Sequence, residues 1–463
     1  MTSDGPAGRY DVAVVGAGVV GLAIARELAT YSLQVAVLDA ADDVGEGTTK
    51  ANTAILHTGF DATPGTLEAR LVRRGYQLLT DYAAAAGIAV ERTGALLVAW
   101  DADQLAALPG LEAKAVANGY ERTSAVDVDE LYRLEPRLGP GALGALAVPD
   151  ESIVDPWSTP LAFATEAVLG GLDLLLGHRV DSVDGGHDLG TGAGRVRCDW
   201  LVNAAGLSAD SVDAMLGHHD FTVTPRRGEL IVFDKLARGL VDHILLPVPT
   251  ARGKGVLVAP TVFGNVLLGP TAEDVPDRTD TASTAAGLAM LRSRGRAILP
   301  RLLDEEVTAV YAGLRAATEH ADYRITAYPQ QRYVCVGGIR STGLTASMAI
   351  GEYVVDLLRE AGLVLGPRRP VQVPRMPALG EAGSRPYRRE DLVAADPAYG
   401  RIVCHCERVS LGELRDALVA PVPARSMEGL RRRTRAGNGR CQGFHCGATV
   451  RAMLESSAAG GRR

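Results

Sequence analysis

The chain has 463 residues, of which 47% are hydrophobic, and a formal net charge of −7. This length favours two or three structural units, and the composition excludes disorder over most of the chain. No apolar run reaches the ~20 residues of a membrane span and no secretory signal follows Met1, so we expect a cytoplasmic protein. Peripheral membrane contact and oligomer formation stay open, whereas the acidic balance argues against a nucleic-acid partner.

The charge is distributed unevenly along the chain. Residues 400–463 contain 12 Lys/Arg and 5 Asp/Glu, a net +7, so the rest of the chain carries −14. A basic C-terminal module of this kind could dock on the acidic body or on an acidic partner. The alternative is an arginine-rich face that is simply solvated.

The first elements form a recognisable pattern. An apolar run at 10–15 predicts a buried strand, and Gly16, Gly18 and Gly21 predict a tight turn into a helix. A second strand ends at Asp39. In a dinucleotide site the first glycine makes the turn, the second admits the pyrophosphate, and the third packs helix on strand, while the acid binds ribose hydroxyls. The alternative is a glycine-rich turn without a ligand.

Two further glycine-bearing turns follow later in the chain. One contains Ala205 and Gly206 after a strand, and the other spans 337–345 and opens a helix. Three such turns suit a long, extended cofactor, so we expect FAD rather than NAD. Short strands predict a β-rich substrate insertion around 221–330, from which the strand at 307–318 returns to the first domain.

Four of the six cysteines are clustered near the C-terminus. Cys404 and Cys406 are separated by one residue, and Cys441 and Cys446 by four. Four thiolates can hold [2Fe–2S], [4Fe–4S] or zinc, but this spacing differs from the C-x2-C knuckles of zinc sites and favours iron and sulfur. The arginines of 431–440 would surround the third thiolate with positive charge and favour a reduced cluster.

Several stretches together resemble a known family: TTKANTAILHTGF, ESIVDPW, TPRRGEL, YAGLRAATE and GGIRSTGLTASMAI. They are similar to D-amino-acid-oxidase-like FAD oxidoreductases, and within these to the flavoprotein subunits of anaerobic glycerol-3-phosphate dehydrogenases and their relatives. L-2-hydroxyglutarate dehydrogenases share two of the stretches. The cysteine spacing resembles the bacterioferritin-associated-ferredoxin-like [2Fe–2S] domain.

The resemblance implies an α/β fold class, with a Rossmann-like FAD-binding domain, a β-rich substrate domain and a small C-terminal iron–sulfur module. We expect the FAD-dependent domain at 8–361, a proline-rich linker at 362–399 and the [2Fe–2S] domain at 400–455. It also implies further contacts to the pyrophosphate, the adenine, the ribityl chain and the flavin ring, from Thr48, Thr49, Asn52, Val180, Gly338, Ile339, Gly343, Leu344 and Thr345.

Oxidising a secondary alcohol on a flavin requires a base for the hydroxyl proton and a cation for an anionic substrate. Arg315, whose planar fork suits carboxylate or phosphate, is the expected anion clamp, with Lys254 and Arg340 as further candidates. His57 is the expected base and His320 the second candidate. The alternatives are a surface ion pair for the arginine and a packing role for the histidines.

The sequence therefore predicts an FAD- and [2Fe–2S]-dependent dehydrogenase of a small anionic hydroxy compound such as glycerol 3-phosphate. Hydride would pass to flavin, and electrons would pass through the cluster to a quinone or a redox protein. One alternative is a dehydrogenase of L-2-hydroxyglutarate or another 2-hydroxy acid. The other is a non-catalytic electron-transfer subunit.

Overall fold

The computed structural model describes residues 9–185, 187–249 and 255–460, with side chains up to 457. Lys254, one of the predicted substrate cations, lies outside the described residues. None of the helices within these ranges combines the length and the apolar character needed to cross a bilayer.

Strands and helices alternate through the first two thirds of the described chain. The strands are β1 (Arg9–Val15), β2 (Val35–Asp39), β3 (Ile55–Leu56), β4 (Val90–Glu91), β5 (Ala95–Ala99), β6 (Ser124–Val126), β7 (Gly144–Val148), β8 (Ser152–Val154), β9 (Asp173–Leu176), β10 (Val180–Asp184), β11 (Asp188–Thr191), β12 (Gly194–Asn203), β13 (Thr224–Phe233), β14 (Ile244–Pro247), β15 (Leu257–Pro260), β16 (Val266–Gly269), β17 (Glu273–Asp274), β18 (Val307–Ala317), β19 (Arg324–Tyr328), β20 (Tyr333–Gly337), β21 (Ile402–Cys404) and β22 (Val409–Ser410). The helices are α1 (Val19–Leu28), α2 (Leu67–Ala86), α3 (Ala102–Ala117), α4 (Val128–Leu134), α5 (Ser158–Leu169), α6 (Ala209–Met215), α7 (Ala285–Ile298), α8 (Gly343–Glu360), α9 (Glu390–Ala395), α10 (Leu411–Val419), α11 (Met427–Thr434) and α12 (Gly447–Gly460).

The first sheet contains the strand-turn-helix unit that is predicted to bind a dinucleotide. Strand β1 pairs in parallel with β2 and β12, β2 pairs with β9, and β12 pairs with β20. Strands β1 and β2 are almost fully buried, as expected for strands covered on both faces. Helix α1 packs against α5 and α8 on one face of this sheet, so the turn between β1 and α1 lies at the carboxyl edge of the parallel strands.

The second sheet has nine strands and takes them from three separate parts of the chain. Its order is β17-β13-β16-β15-β14-β5-β7-β6, with β18 pairing to the other edge of β13. The predicted insertion around 221–330 accounts for only part of it, because β5, β6 and β7 come from 95–148. The strand at 307–318 was predicted to return to the first domain, and this is wrong: β18 pairs with β13 over residues 224–233. The next two strands, β19 and β20, do return to the first sheet, where β20 pairs with β12 and β19 with β20.

The C-terminal module follows an irregular segment and has its own small core. Residues 363–385 have no regular helix or strand, and α9 follows them. Strands β21 and β22 pair with each other, and α10 begins with a capping box between Ser410 and Glu413. Buried apolar side chains of this module, among them Val409, Leu414 and Leu430, form a separate cluster. The domain boundaries given above stay predictions.

Candidate functional site

The glycine turn between β1 and α1 has the geometry that a dinucleotide requires. Gly16 has φ +111°, and a Cβ there would lie 2.4 Å from the carbonyl oxygen of Ala204. A Cβ on Gly21 would lie 1.9 Å from the carbonyl oxygen of Gly16. At Gly18 a Cβ would meet only Thr49 Oγ1, at 3.3 Å, so this glycine leaves an open cradle at the N-terminus of α1. No acidic residue occupies the first turn of α1, so its positive end can receive a pyrophosphate.

Asp39 supports this turn from the end of β2. Its Oδ2 accepts a hydrogen bond from Ala17 N at 2.6 Å, and its Oδ1 accepts one from Ala41 N at 2.8 Å. Burial raises the pKa of Asp39, and the two backbone donors partly oppose that rise. Each carboxylate oxygen keeps a further lone pair that can accept a hydrogen bond from a ribose hydroxyl. The ribose contact expected of Asp39 stays a prediction.

The segment 48–52 runs from the glycine turn to the second sheet. Thr49 Oγ1 accepts from Val19 N at 3.0 Å, and Thr48 Oγ1 donates to Leu314 O at 2.7 Å. Asn52 Nδ2 donates to Thr49 O at 2.6 Å. These contacts bring three of the residues expected at the cofactor to the junction of the two sheets. We call residues 48–52 the flavin segment below.

The remaining expected cofactor residues lie in other turns and at the ends of other elements, and their contacts with the cofactor stay predictions. Gly206 and Gly338 have φ of +56° and +68°, which favour glycine, and Gly343 begins α8. Val180 is buried at the start of β10, in the cluster that also contains Val15. The same turns and helix α8 also contain Ala205, Ile339, Leu344 and Thr345.

His57 is paired with a buried carboxylate that the sequence analysis did not identify. Glu151 is 0% exposed, and its Oε2 lies 3.0 Å from His57 Nδ1. Its Oε1 accepts from Thr58 N at 2.6 Å and from Thr58 Oγ1 at 2.9 Å. The backbone N–H of His57 donates to Thr345 Oγ1 at 3.0 Å, so α8 also fixes this residue. A carboxylate that accepts Nδ1–H leaves Nε2 as the only imidazole nitrogen for a proton.

Arg315 is a half-buried cation with unused hydrogen-bonding capacity. Its Nη2 donates to Thr271 O at 2.9 Å, and its Nε has no partner. Burial, followed by repulsion from Arg226, lowers the pKa of Arg315 to about 10, and Asp274 offsets this only in part. Among the described residues no carboxylate forms an ion pair with Arg315. Because a partly desolvated guanidinium without an anion is unfavourable, this site is suited to an anionic ligand.

Strand alternation directs Arg315 toward the flavin segment. Gly313, two residues earlier on β18 and therefore on the same face, packs so closely that a Cβ would lie 2.5 Å from Ala51 O. Tyr311, on that face as well, donates its hydroxyl to Asn52 O at 3.1 Å. Arg315 thus belongs to a row of residues that faces residues 51 and 52.

The other candidate side chains are engaged elsewhere. Arg340 Nη2 binds Glu68 Oε2 at 3.0 Å, so its charge is already balanced. His320 Nε2 lies 3.0 Å from the carbonyl oxygen of Asp220 at the protein surface. Arg340 already has a carboxylate partner, and His320 lacks a buried carboxylate such as Glu151, so the structure favours Arg315 and His57 over both.

The four C-terminal cysteines lie together in the small module. The thiols of Cys406 and Cys441 are neighbours, and so are those of Cys404 and Cys446. Backbone N–H groups, that of His445 above all, lower the pKa of Cys441, whereas burial raises the pKa of Cys446 to about 12. Within 9–185, 187–249 and 255–460, no three His, Cys, Asp or Glu side chains surround one point closely enough for a single metal ion. Two neighbouring pairs of thiols suit the donor set of a [2Fe–2S] cluster, in which four cysteines serve two irons.

Three of the five arginines at 431–440 form ion pairs with carboxylates of the body, and the other two pair with carboxylates of the module, so they do not surround the cysteines as free positive charge. Arg432 and Arg433 both bind Asp43, at 2.8 and 2.6 Å, and Asp43 is 1% exposed. Arg440 binds Asp234 at 2.9 Å. The positive field predicted around the third thiolate is therefore largely neutralised by carboxylates. Of the two interpretations of the basic module, the structure supports docking on the acidic body.

Comparisons with known proteins match both parts of the chain. Residues 11–357 match the FAD dependent oxidoreductase (DAO) family, and residues 402–456 match the BFD-like [2Fe-2S] binding domain. A glycerol 3-phosphate dehydrogenase of Caloramator mitchellensis is 35% identical over 96% of this chain and 94% of its own. A glycerol 3-phosphate oxidase of Mycoplasma pneumoniae is 30% identical over 75% of this chain and 94% of its own.

The fold has the same neighbours. The dithionite-reduced L-alpha-glycerophosphate oxidase of Mycoplasma pneumoniae, with FAD bound, superimposes with a TM-score of 0.74 and 28% identity. The match covers 80% of this chain and 98% of the oxidase. The expected α/β fold class is thereby confirmed.

Proposed function

Since this chain belongs to the FAD dependent oxidoreductase family and carries a BFD-like [2Fe-2S] domain behind it, we propose that it oxidises glycerol 3-phosphate. The expected enzyme class and both expected cofactors, FAD and [2Fe–2S], are confirmed by these matches. The substrate is proposed from the dehydrogenase relative that matches over 96% of the chain and from the site described above. FAD, when bound, supplies the hydride acceptor, and the cluster supplies a one-electron route to a quinone or a redox protein.

The observation that carries the proposal is the unpaired, half-buried cation of Arg315 on the strand that faces the flavin segment. An unneutralised guanidinium at this place favours a substrate that brings its own negative charge. Its planar fork can bind two phosphate oxygens, and its orphaned Nε supplies one of the donors. Lys254 is proposed as a second cation for the phosphate.

His57 is proposed to take the hydroxyl proton at Nε2 while the hydride leaves the alcohol carbon. Its Nδ1 is held by Glu151 and its backbone by Thr345, so the ring has one orientation and one tautomer. The imidazolium that forms is stabilised by the buried carboxylate of Glu151. Proton transfer to such a positioned base typically accelerates a reaction by about 10²–10⁴-fold.

Anaerobic mixing of the purified holoenzyme with candidate substrates tests this function. We expect glycerol 3-phosphate to bleach the flavin, while glycerol, which lacks the anionic end, leaves it oxidised. Bleaching by L-2-hydroxyglutarate alone would contradict the phosphate substrate and support the 2-hydroxy-acid alternative. A flavin that dithionite reduces but no hydroxy compound reduces would contradict catalysis and leave the electron-transfer subunit.

A further inference from the structure

A cavity of about 600 Å³ lies between the body and the C-terminal module. One wall belongs to the body and includes the flavin segment, with Lys50, Asn52, Trp157 and Tyr311. The opposite wall belongs to the module and includes Arg431, Arg432, Arg435, Asn438 and Gln442. The iron–sulfur module therefore faces the flavin segment across this cavity.

Buried ion pairs fix one side of this wall. Arg432 and Arg433 meet at Asp43, and Arg432 also binds Glu46. Their side chains are 10% and 4% exposed, so water screens these pairs little. Asp43 and Glu46 belong to the loop that leads directly into the flavin segment. The module is thus tied to the same stretch of backbone that is proposed to hold the cofactor.

Aromatic packing fixes the other side of the wall. The Arg435 guanidinium lies 4.3 Å from the centroid of the Phe263 ring, and its Nη2 donates to Asn265 Oδ1 at 3.0 Å. Phe263 stacks on Trp157 at 5.0 Å, and Trp157 Nε1 donates to Lys50 O at 3.2 Å. This chain of contacts leads from the module to the flavin segment. The module cannot move away from the body without breaking these contacts.

The relatives differ at this module. The dehydrogenase relative matches 96% of this chain, module included. The match covers 94% of the oxidase relative but only 75% of this chain. The unmatched part of the oxidase is too short for a domain of the size of residues 402–456. An oxidase delivers its electrons to dioxygen. Of these two relatives, the one named an oxidase therefore lacks a counterpart of the module that forms the wall, whereas the one named a dehydrogenase matches across it.

We propose that the docked module determines the electron acceptor by keeping dioxygen and bulk water away from the flavin segment. The inference rests on the proposed function as an FAD dehydrogenase. Where the wall is open, dioxygen takes two electrons and two protons from the reduced flavin and leaves as hydrogen peroxide, and the flavin returns to its oxidised form. Where the wall is closed, that side reaction is suppressed, as closure of an active site suppresses leakage of reactive intermediates. Electrons then leave through the module. Arg432 and Arg433 are positioning residues in this account.

The test compares wild-type holoenzyme with the double variant R432Q/R433Q. Both proteins are reduced with a stoichiometric amount of dithionite and mixed with air-saturated buffer. The rate of flavin reoxidation and the formation of hydrogen peroxide are followed. Removing the two arginines leaves Asp43 without ion-pair partners, so we expect reoxidation to rise roughly ten-fold or more. Iodide quenching of the oxidised flavin's fluorescence, which needs no turnover, should rise as well. The matched control is R415Q, because Arg415 forms exposed pairs with Asp396 and Asp416 and does not line the cavity.

Unchanged reoxidation in the double variant would overturn the proposal. Because dithionite replaces the substrate, this outcome is separate from a failure of glycerol 3-phosphate to bleach the flavin. If the double variant does not fold, the wild-type protein decides. Reoxidation as fast as that of free reduced FAD would contradict a protective wall, and reoxidation slower by roughly two orders of magnitude would support it.

Discussion

Replacing Glu151 by Gln should separate its action on His57 from its part in packing. The carboxylate is fully buried and accepts three hydrogen bonds, two from Thr58 and one from His57 Nδ1. The glutamine amide has the same shape but only one oxygen. The two Thr58 donors, one of them a backbone N–H, hold that oxygen, so the NH₂ group faces His57.

An NH₂ group facing Nδ1 makes Nδ1 an acceptor and moves the proton to Nε2. His57 then cannot take the substrate proton, and kcat should fall by about 10²–10⁴-fold, the usual contribution of a general base. KM should change little, because the anion is held by Arg315. The charge-assisted bond to His57 is also lost, which should cost about 1–3 kcal/mol of stability. Anaerobic stopped-flow measurement of flavin reduction gives the rate, and thermal melting gives the stability.

The chain offers a matched control for burial. Glu135 is 0% exposed, and its Oε1 lies 2.8 Å from His243 Nδ1 and accepts from His243 N at 2.7 Å. Neither residue bonds to a proposed site residue. Glu135→Gln should therefore lower the melting temperature as Glu151→Gln does and leave kcat near the wild-type value. If both variants keep wild-type rates of flavin reduction, the role assigned to Glu151 and His57 is refuted.

Three further predictions follow from the site and from the module. Arg315→Gln should raise KM by roughly 30- to 700-fold, which is equivalent to about 2–4 kcal/mol of lost charge-assisted binding, while kcat changes little. An unchanged KM in steady-state kinetics would remove Arg315 from the substrate site. Asp43→Asn should destabilise the protein at neutral pH by about 3–5 kcal/mol, because the buried Arg433 loses its anion and Arg432 keeps only Glu46. Burial alone would raise the pKa of Asp43, but the hydrogen bond and charge of Arg433 and the charge of Arg432 hold it below its ordinary value. A carboxylate whose pKa is lower in the folded protein stabilises the fold at pH values above its unfolded pKa of about 3.9, and this stabilisation is lost as the pH falls through the folded pKa. The difference in stability between Asp43→Asn and wild type should therefore vanish in acid. Denaturation that shows no such pH dependence would contradict the pairing. Cys446→Ser should lose iron and acid-labile sulfide but retain FAD, whereas Cys198→Ser, at a buried thiol in the first sheet, should retain both; zinc in place of iron would contradict the cluster.

The cofactor turn could be predicted from the sequence because its determinants are local. Gly16, Gly18 and Gly21 lie within six residues of one strand-turn-helix unit. Asp39 follows at the end of the next strand. A pattern of this kind can be recognised without knowledge of distant contacts.

Glu151 could not be identified in the same way. It lies 94 residues after His57, and a glutamate in a turn is ordinarily exposed, so nothing in its neighbourhood signals a buried carboxylate. The only available signal was the stretch ESIVDPW, which begins with this residue and was noted for its resemblance alone. The docking of the module has the same character, because Arg433 meets Asp43 across 390 residues. Charge counts show that such pairs can form but not which ones do.

The sheet that carries Arg315 illustrates a further limit. The apolar run at 307–318 predicts a strand, and β18 is one, but strand pairing depends on which edge is available. The edge of β13 over 224–233 was available through an antiparallel register that no local pattern specifies. The strand was therefore predicted correctly as an element and wrongly as a member of the first domain.

One measurement tests the central claim most directly. The holoenzyme, with FAD and iron quantified, is mixed anaerobically with glycerol 3-phosphate while flavin absorbance and the electron paramagnetic resonance of the cluster are followed. The account predicts that the flavin bleaches and that the signal of a reduced [2Fe–2S] cluster then develops. A flavin that stays oxidised with glycerol 3-phosphate but bleaches with dithionite would contradict it.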